Sequence, residues 1–374
     1  MKAALHIGLL TSDLRHTHGW GSYSLSLVEA LRDAGARLTI LASRNSPPVS
    51  GVDILPILPP LAPRERGTLL RLGTRLTWAR SALRHCDVIH ATVEPFAPLA
   101  AAVAGARPLL VTGHGSYVRV DQAWRFPVNR VYAWAYRRAL LVCVSRYTAR
   151  AAEEALPGIR TTVVNNGVDA ARFANLPALE PPKHAPTVLC VGAVKARKGT
   201  LELVRAIDRV RQTIPSVQCM ILGSLTTEPA YVERVRAEIA RRGLEDVVHL
   251  PGYVPESALL AWYGAADVFA LPSMNAGWKF EGYGLSLIEA SAAGLPVIGT
   301  TDCGAEDAVD HGVTGLLVSQ QAVDAALPNA LTRLLTDRTL AAAMGAAGRA
   351  KARRQTWARV AEQMIALYAS EVRR

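Results

Sequence analysis

Short apolar runs recur along the chain, separated by longer stretches with helical spacing. Leu5 to Leu10, Arg37 to Ala42, Asp87 to His90, Pro108 to Thr112 and Leu140 to Ser145 read as strands in the first half. Thr187 to Val191, Cys219 to Leu222, Val247 to Leu250, Val268 to Leu271 and Pro296 to Gly299 repeat the pattern in the second. Strands alternating with helices predict parallel sheets, hence an α/β fold. One helical stretch, Arg64 to Arg84, carries Leu69, Leu72, Leu76, Ala79 and Leu83 as a stripe. Arg71 and Arg75 flank it on one side, and Arg66, Arg80 and Arg84 on the other. That pattern suits a packed helix with a solvated basic rim, or one lying on anionic lipid with its arginines reaching outward. Another helical stretch carries Trp124, Arg125, Arg130, Trp134, Arg137 and Arg138, as acceptor contacts or as surface. The last stretch, Ala341 to Arg374, reads as long and helical.

Two segments break the alternation. Pro47 to Pro63 is proline-rich and reads as a loop. Leu176 to Pro186 holds Pro177, Pro181, Pro182 and Pro186, and reads as a linker between domains. The expected division is residues 1–178, with 356–374 returning to them, and residues 186–355. A length of 374 residues fits two domains. Half the residues are hydrophobic, yet no run reaches the roughly 18 needed to span a bilayer. Met1 to Leu10 is too short for a signal peptide and reads as the first strand. Five scattered cysteines with no C-x-x-C pair fit reduced thiols in a cytosolic protein. A net charge of +11 favours phosphorylated small molecules or anionic lipid. Without zinc-ligand spacing or an RNP-like motif, nucleic acid is disfavoured.

The candidate chemistry centres on Leu271 to Gly299. A strand runs into a loop ending Glu281-Gly282-Tyr283-Gly284, and a helix from about Leu285 to Ala293 stops at Gly294. Gly282 and Gly284 let backbone approach a ligand, and the helix start suits a phosphate. Glu289 lies one turn in, within reach of a sugar hydroxyl beside that phosphate; Glu281 lies across the turn, placed for a second sugar. A nucleotide-sugar has that order of groups. An ordinary glycine-rich turn opening a packed helix has the same spacing. Near the start, strand one leads into Gly19, Trp20, Gly21 and Tyr23 and a helix to Leu31. G-x-G-x-x-G is absent there because Ser24 stands at the third position, which disfavours a dinucleotide oxidoreductase.

Glu281 and Glu289 form E-x7-E within EGYGLSLIEA, which resembles the signature of retaining glycosyltransferases of family four, E-G-F-G-L-x-x-x-E-A, with Tyr283 for the usual Phe. The preceding loop, Met274 to Phe280, is longer than in many members. The resemblance extends across the chain. Gly19, Gly21 and Tyr23 match a G-G-x-G-x-Y loop over the acceptor and the donor phosphates, with His18 at its first Gly. Thr112-Gly113-His114-Gly115 resembles the position whose His lies near the donor sugar. Asn166-Gly167-Val168-Asp169 with Phe173 resembles the element closing the first domain. Gly192 to Gly199 is similar to G-R-L-x-x-x-K-G: Lys198 matches the Lys, Ala193 replaces the Arg, and Arg197 or Lys195 stands nearby to supply the charge. Asp302 to Asp307, with Gly304, resembles the loop beside the sugar, and Gly312 to Val318 the turn and strand after it.

The resemblance implies the GT-B fold: two Rossmann-like domains with parallel sheets facing a central cleft, and a last helix crossing back near Thr356-Trp357. It implies transfer of a hexose from a GDP- or UDP-linked donor to a hydroxyl of a glycan or lipid-linked acceptor, with retention. Glu281, Lys198, Arg197 and His114 are then the catalytic candidates. Gly192, Lys195, Gly282, Tyr283, Gly284, Leu285, Glu289 and Gly304 are the donor-binding ones, and Gly19, Trp20, Gly21 and Tyr23 serve the acceptor or phosphate. Cations and a helix terminus replace a metal on the diphosphate, so no cofactor is expected; no D-x-D motif occurs. The expected partners are the donor, the acceptor and an anionic membrane surface, at the cytoplasmic face. Two rivals remain at this point: a nucleotide-sugar 2-epimerase on the same fold, and a non-catalytic nucleotide-sugar-binding subunit suggested by Ala193.

Overall fold

The computed structural model describes residues 5–16, 18–60, 67–180 and 185–374. The chain forms two compact units, one of residues 1–167 with 357–374, the other of residues 168–356.

The first unit is a parallel sheet with strand order β3-β2-β1-β4-β5-β6-β7. Its elements in chain order are β1 (His6–Leu10), α1 (Gly19–Asp33), β2 (Arg37–Ser43), β3 (Ile54–Leu58), α2 (Thr68–Gly73), α3 (Leu76–Ala82), β4 (Val88–Ala91), α4 (Ala97–Ala104), β5 (Leu109–Gly113), α5 (Val120–Ala123), α6 (Val128–Arg138), β6 (Leu140–Cys143), α7 (Arg146–Ala155) and β7 (Arg160–Val163). Every residue of β1, β4, β5 and β6 is buried, as strands covered on both faces require. Leu9 of β1 lies opposite Ile40 on one side and His90 on the other. The chain turns from one side of β1 to the other between β1 and β4, so the crevice at their carboxyl ends is the topological switch point.

Three sequence expectations change here. The proline-rich stretch 47–63 contains β3, an edge strand on β2; at an edge Pro56 needs no ladder donor on its outer side. The stretch 64–84 is not one helix: α2 and α3 are separated at Thr74 and Arg75, just after Gly73, and residues 64–66 lie outside the described residues. Trp124 belongs to the core rather than to a surface, 3% exposed and stacked on Tyr132 with ring centroids 3.8 Å apart.

The second unit is a parallel sheet of order β10-β9-β8-β11-β12-β13. It comprises β8 (Thr187–Val191), α8 (Thr200–Thr213), β9 (Gln218–Leu222), α9 (Pro229–Arg241), β10 (Val248–Gly252), α10 (Glu256–Ala265), β11 (Val268–Ala270), α11 (Leu285–Ala293), β12 (Val297–Thr300), α12 (Ala305–Ala308), β13 (Gly315–Val318), α13 (Val323–Thr336) and α14 (Arg338–Arg354). The switch point here falls between β8 and β11. The unit begins at Val168, ahead of the proline-rich segment where the sequence puts the boundary. Val168 N–H donates to Gln355 O at 2.8 Å and Phe173 packs edge-on against Tyr263, which ties these residues to the second core.

The final helical stretch breaks at Gln355 and Thr356. Beyond it α15 (Trp357–Val372) joins the first unit and packs on α1. Its Tyr368 hydroxyl meets His90 Nδ1 at 2.7 Å, and His90 Nε2 meets the Thr112 hydroxyl at 2.8 Å. All five cysteines are buried free thiols. No helix among the described residues is long and apolar enough to cross a membrane.

Candidate active site

In the second unit, two strand-to-helix loops meet at the switch point. The loop after β8 runs through Gly192, with Lys195, Arg197 and Lys198 beyond it, and ends at Gly199, the left-handed N-cap of α8. The loop after β11 ends at Gly284, the left-handed N-cap of α11. Both N-caps are glycines without a side chain to offer; at α8 the Tyr231 hydroxyl accepts the Leu201 N–H at 3.1 Å, while α11 has no side-chain N-cap bond. The loops touch directly: Met274 N–H donates to Arg197 O at 3.0 Å. A Cβ on Gly199 would stand 1.7 Å from Pro272 O, so only glycine permits that contact.

This seam brings Glu281 onto the cations. Its Oε2 accepts from Arg197 Nη1 at 2.7 Å, from Lys198 Nζ at 2.7 Å and from Ser273 Oγ at 3.2 Å. Glu281 is 6% exposed. Burial alone would raise its pKa; the charges of Arg197 and Lys198, the Lys198 hydrogen bond and Lys195 overrule it and hold the carboxyl well below the usual range. Lys195 stands near the same group. Burial, then the repulsion of Arg197 and Lys198, brings its ammonium down to about 8.

A third loop, after β12, closes the other side. Gly304 N–H donates to Glu281 O at 2.8 Å, and a Cβ on Gly304 would lie 1.9 Å from Gly282 O. Asn275 braces the long loop: its N–H donates to Gln320 Oε1 at 2.7 Å and its Nδ2 to Asp302 O at 2.9 Å. Glu289 stands apart from Glu281, half-buried one turn into α11, where its Oε2 accepts from the Tyr263 hydroxyl at 3.0 Å. Leu285 is half-buried at the start of the same helix. Tyr283 turns inward, 2% exposed with its hydroxyl on Gln355, so only its backbone is open to a donor.

The first-unit candidates gather at the carboxyl ends of β1, β4 and β5. α1 begins at Gly19, earlier than the loop expected from sequence, because His18 caps it: Gly21 N–H donates to His18 Nδ1 at 3.1 Å. Gly19, Trp20 and Gly21 therefore form the first helical turn, and a Cβ on Gly21 would lie 2.3 Å from Arg15 O. Tyr23 is buried, with its hydroxyl 3.2 Å from that of Thr112 and its ring edge-on to His114 and Trp357. It supports the site from behind, and burial pushes its phenol up to about 12. His114 Nε2 donates to Thr92 O at 2.7 Å, which leaves Nδ1 as the acceptor nitrogen. Desolvation lowers its pKa to about 4, so the ring is neutral at physiological pH.

Ser273, Asn275, Gln320 and Glu94, whose Oε1 accepts the His114 N–H at 2.7 Å, carry parts of these arrangements without standing out in the sequence. Lone polar residues in loops have no periodicity to betray them. Glu94 alone left a trace, as a carboxylate between the apolar β4 and an alanine-rich helix.

Fixed cations beside the uncapped start of α11, with carboxylates on either side, are equipped to hold a diphosphate and adjoining sugar hydroxyls. The comparisons agree with that chemistry. Residues 17–172 match the model described as Glycosyltransferase Family 4, and residues 172–351 that of Glycosyl transferases group 1. A GDP-mannose-dependent alpha-(1-6)-phosphatidylinositol monomannoside mannosyltransferase of Mycobacterium tuberculosis is 36% identical over 273 residues, 68% of this chain and 68% of the relative. A glycogen synthase of the same species is 30% identical over 280 residues, 72% of this chain and 63% of that one. Among solved structures, sucrose-phosphate synthase from Thermosynechococcus elongatus superposes with a TM-score of 0.81 at 25% identity, covering 98% of each chain. Anabaena HepE with UDP and glucose gives 0.76 at 21% identity over 98% of this chain and all of that one, which shows the fold. The chain belongs to glycosyltransferase family 4, with the GT-B fold, and is a hexosyltransferase drawing on a nucleotide-sugar donor.

Proposed function

We propose that this enzyme transfers mannose from GDP-mannose, with retention, to a hydroxyl of a lipid-linked acceptor. The observation that carries the site reading is the convergence of Arg197 and Lys198 on Glu281 at the β8–β11 switch point. As the sugar bond breaks, negative charge grows on the departing diphosphate, and these two cations neutralise it. Arg197 thus takes the part of the arginine absent at Ala193, which argues against a non-catalytic subunit. The N–H groups at Gly284 and Leu285 hold the distal phosphate, Glu289 accepts from the ribose, and Glu281 orients the hexose hydroxyls. Gly192, Lys195, Gly282, Tyr283 and Gly304 line the donor, mainly through backbone. His114 and the turn from Gly19 to Tyr23 serve the acceptor. The departing phosphate takes the acceptor's proton, so no protein nucleophile is assigned.

The choice of mannose and of a lipid acceptor rests on the relatives named for GDP-mannose and phosphatidylinositol monomannoside. The surface of the first unit supports it. α4 is flanked by α3 and α6: Arg80 donates to Ala102 O at 3.2 Å and Arg138 to Ala101 O at 3.0 Å. Leu70 on α2 (74% exposed), Trp78 on α3 (68%) and Trp134 on α6 (43%) stand out among arginines. We assign this face to an anionic bilayer. The donor test is thermal stabilisation by GDP-mannose, UDP-glucose, UDP-galactose and UDP-N-acetylglucosamine. A ligand at about 100 times its Kd adds about 2.7 kcal/mol. A shift with GDP-mannose and not with UDP-sugars is expected; the reverse overturns the donor assignment. Mannosylation of a phosphatidylinositol mannoside in detergent, with a soluble α-glucan as control, tests the acceptor.

A further inference from the structure

Glu94 follows β4 and opens a 3-10 turn, Glu94–Phe96, that leads into α4. It is fully buried, and it lies at the switch point of the first unit. One carboxyl oxygen, Oε1, accepts the backbone N–H of His114 at 2.7 Å. The other, Oε2, is buried with no hydrogen-bond partner. The backbone of Gly115 and the Trp20 side chain act on the same carboxyl, Trp20 without reaching bonding geometry to Oε2. A buried carboxyl with a vacant oxygen is costly, and the apolar alternatives at such a position are not. Nothing in the reaction described above uses it.

We propose that Glu94 is a positioning residue for transfer: one buried carboxyl fixes the His114–Gly115 turn after β5 beside the Trp20 turn that opens α1. It rests on the assignment of both turns to the acceptor. Glu94 touches no substrate and acts through these neighbours. Burial raises its pKa to about 7, against the weaker pull of the N–H groups. The titratable groups around it are neutral. They are Tyr23 on α1, His90 on β4, His114 after β5, Tyr132 and Tyr136 on α6, and Cys143 on β6. Burial raises the pKa values of the tyrosines and the thiol, and lowers that of His90 to about 3 and that of His114 to about 4. No opposite charge from these groups compensates ionised Glu94. The neutral form is therefore favoured in the ordered turns, so the stability it lends them is present below the ordinary 4.5, is lost as pH rises to about 7, and falls no further above that.

The experiment compares wild type, Glu94→Gln and Glu94→Leu in mannosyl transfer from GDP-mannose to a phosphatidylinositol mannoside between pH 5 and 8, with amide exchange at His114 and Gly115. Glu94→Gln imitates the neutral acid, so it is expected to keep wild-type KM for acceptor at pH 5 and to lose the rise in KM between pH 5 and 7. Glu94→Leu leaves the His114 N–H unpaired. It is expected to exchange faster at His114 and to lose about tenfold to a hundredfold in kcat/KM, as misplacement of a positioned group does. GDP affinity should stay unchanged in both. Unaltered exchange in both variants, or a rise in KM between pH 5 and 7 that persists in Glu94→Gln, overturns the proposal. So does faster exchange with wild-type transfer. In that last case a parallel His114→Ala variant separates the premises: if it also transfers normally, the acceptor assignment of the turn has failed; if it does not, the role of Glu94 has.

Discussion

Glu281 accepts three donors on a single oxygen, two of them cations that remain partly open to solvent. In the proposed site the anion would hold the cations in place before a diphosphate arrives, and would repel that diphosphate once it does. Glu281→Gln separates the two effects. The variant should bind free GDP at least as tightly as wild type, because repulsion is gone, while kcat falls by about a hundredfold or more for want of sugar orientation. It should also lose about 1–3 kcal/mol of stability at pH 7, since two charged donors exchange a charged acceptor for a neutral amide oxygen. The pH sign follows from the lowered pKa of Glu281. Its contribution is present above the ordinary carboxylate pKa of 4.5 and is lost as pH falls through the lower folded value. Urea titrations at pH 7 and pH 4 should therefore converge for the variant and wild type as the medium becomes acidic. Weaker GDP binding by the variant would show that the carboxylate contacts the nucleotide favourably. Lys198→Ala should cut kcat/KM by about a hundredfold or more, while Arg197→Ala tests the substitution for Ala193; a wild-type rate in the latter would give that role to Lys195.

The contacts that align these charges are made by backbone, between loops that only glycine lets approach. Gly199 combines a φ of 67° with the near contact to Pro272 O. Gly243 has a φ of 57° and open space around it. Gly243→Ala should therefore cost only the left-handed backbone, about 1–2 kcal/mol. Gly199→Ala should cost more and also weaken GDP binding, because the loop carrying Arg197 and Lys198 must move; isothermal titration beside thermal unfolding reads both. Equal GDP affinity in the two variants would mean that the seam does not position the cations. Much of this organisation was legible in the sequence. The buried parallel strands are apolar throughout, and the motif glycines fall where strands end. β3 was not legible, because a two-sided edge strand containing Pro56 leaves its residues half-exposed and looks like loop. Nor was the break between α2 and α3, where the apolar stripe continues past Gly73 although the backbone does not. Tyr23 and Tyr283 matched motif positions, but sequence gives no side-chain direction, and both turn into the core.

At the scale of the whole molecule, the net charge of +11 is only a bias toward anionic partners. Its distribution gives the bias a location. The inner stripe of α2 and α3 is committed to packing, with Leu72 3% exposed and Ala79 and Leu83 fully buried. Leu70 and Trp78 lie on the outer side, where tryptophan suits the headgroup layer. Arg80 and Arg138 already cap α4 carbonyls, so replacing them would confound folding with lipid binding. The informative variant changes Leu70 and Trp78 to Ser and Arg71 and Arg84, both exposed, to Gln. Each arginine near an anionic surface contributes about 1 kcal/mol, and the attraction must fade as the Debye length shrinks from about 10 Å at 0.1 M salt to about 3 Å at 1 M. Wild type should therefore pellet with vesicles of rising phosphatidylinositol content at low salt, and less at high salt. The variant should stay in the supernatant at both, with unchanged thermal midpoint and unchanged GDP affinity. If variant and wild type pellet alike, or neither pellets, this face does not meet the bilayer, and the enzyme finds its acceptor by another route.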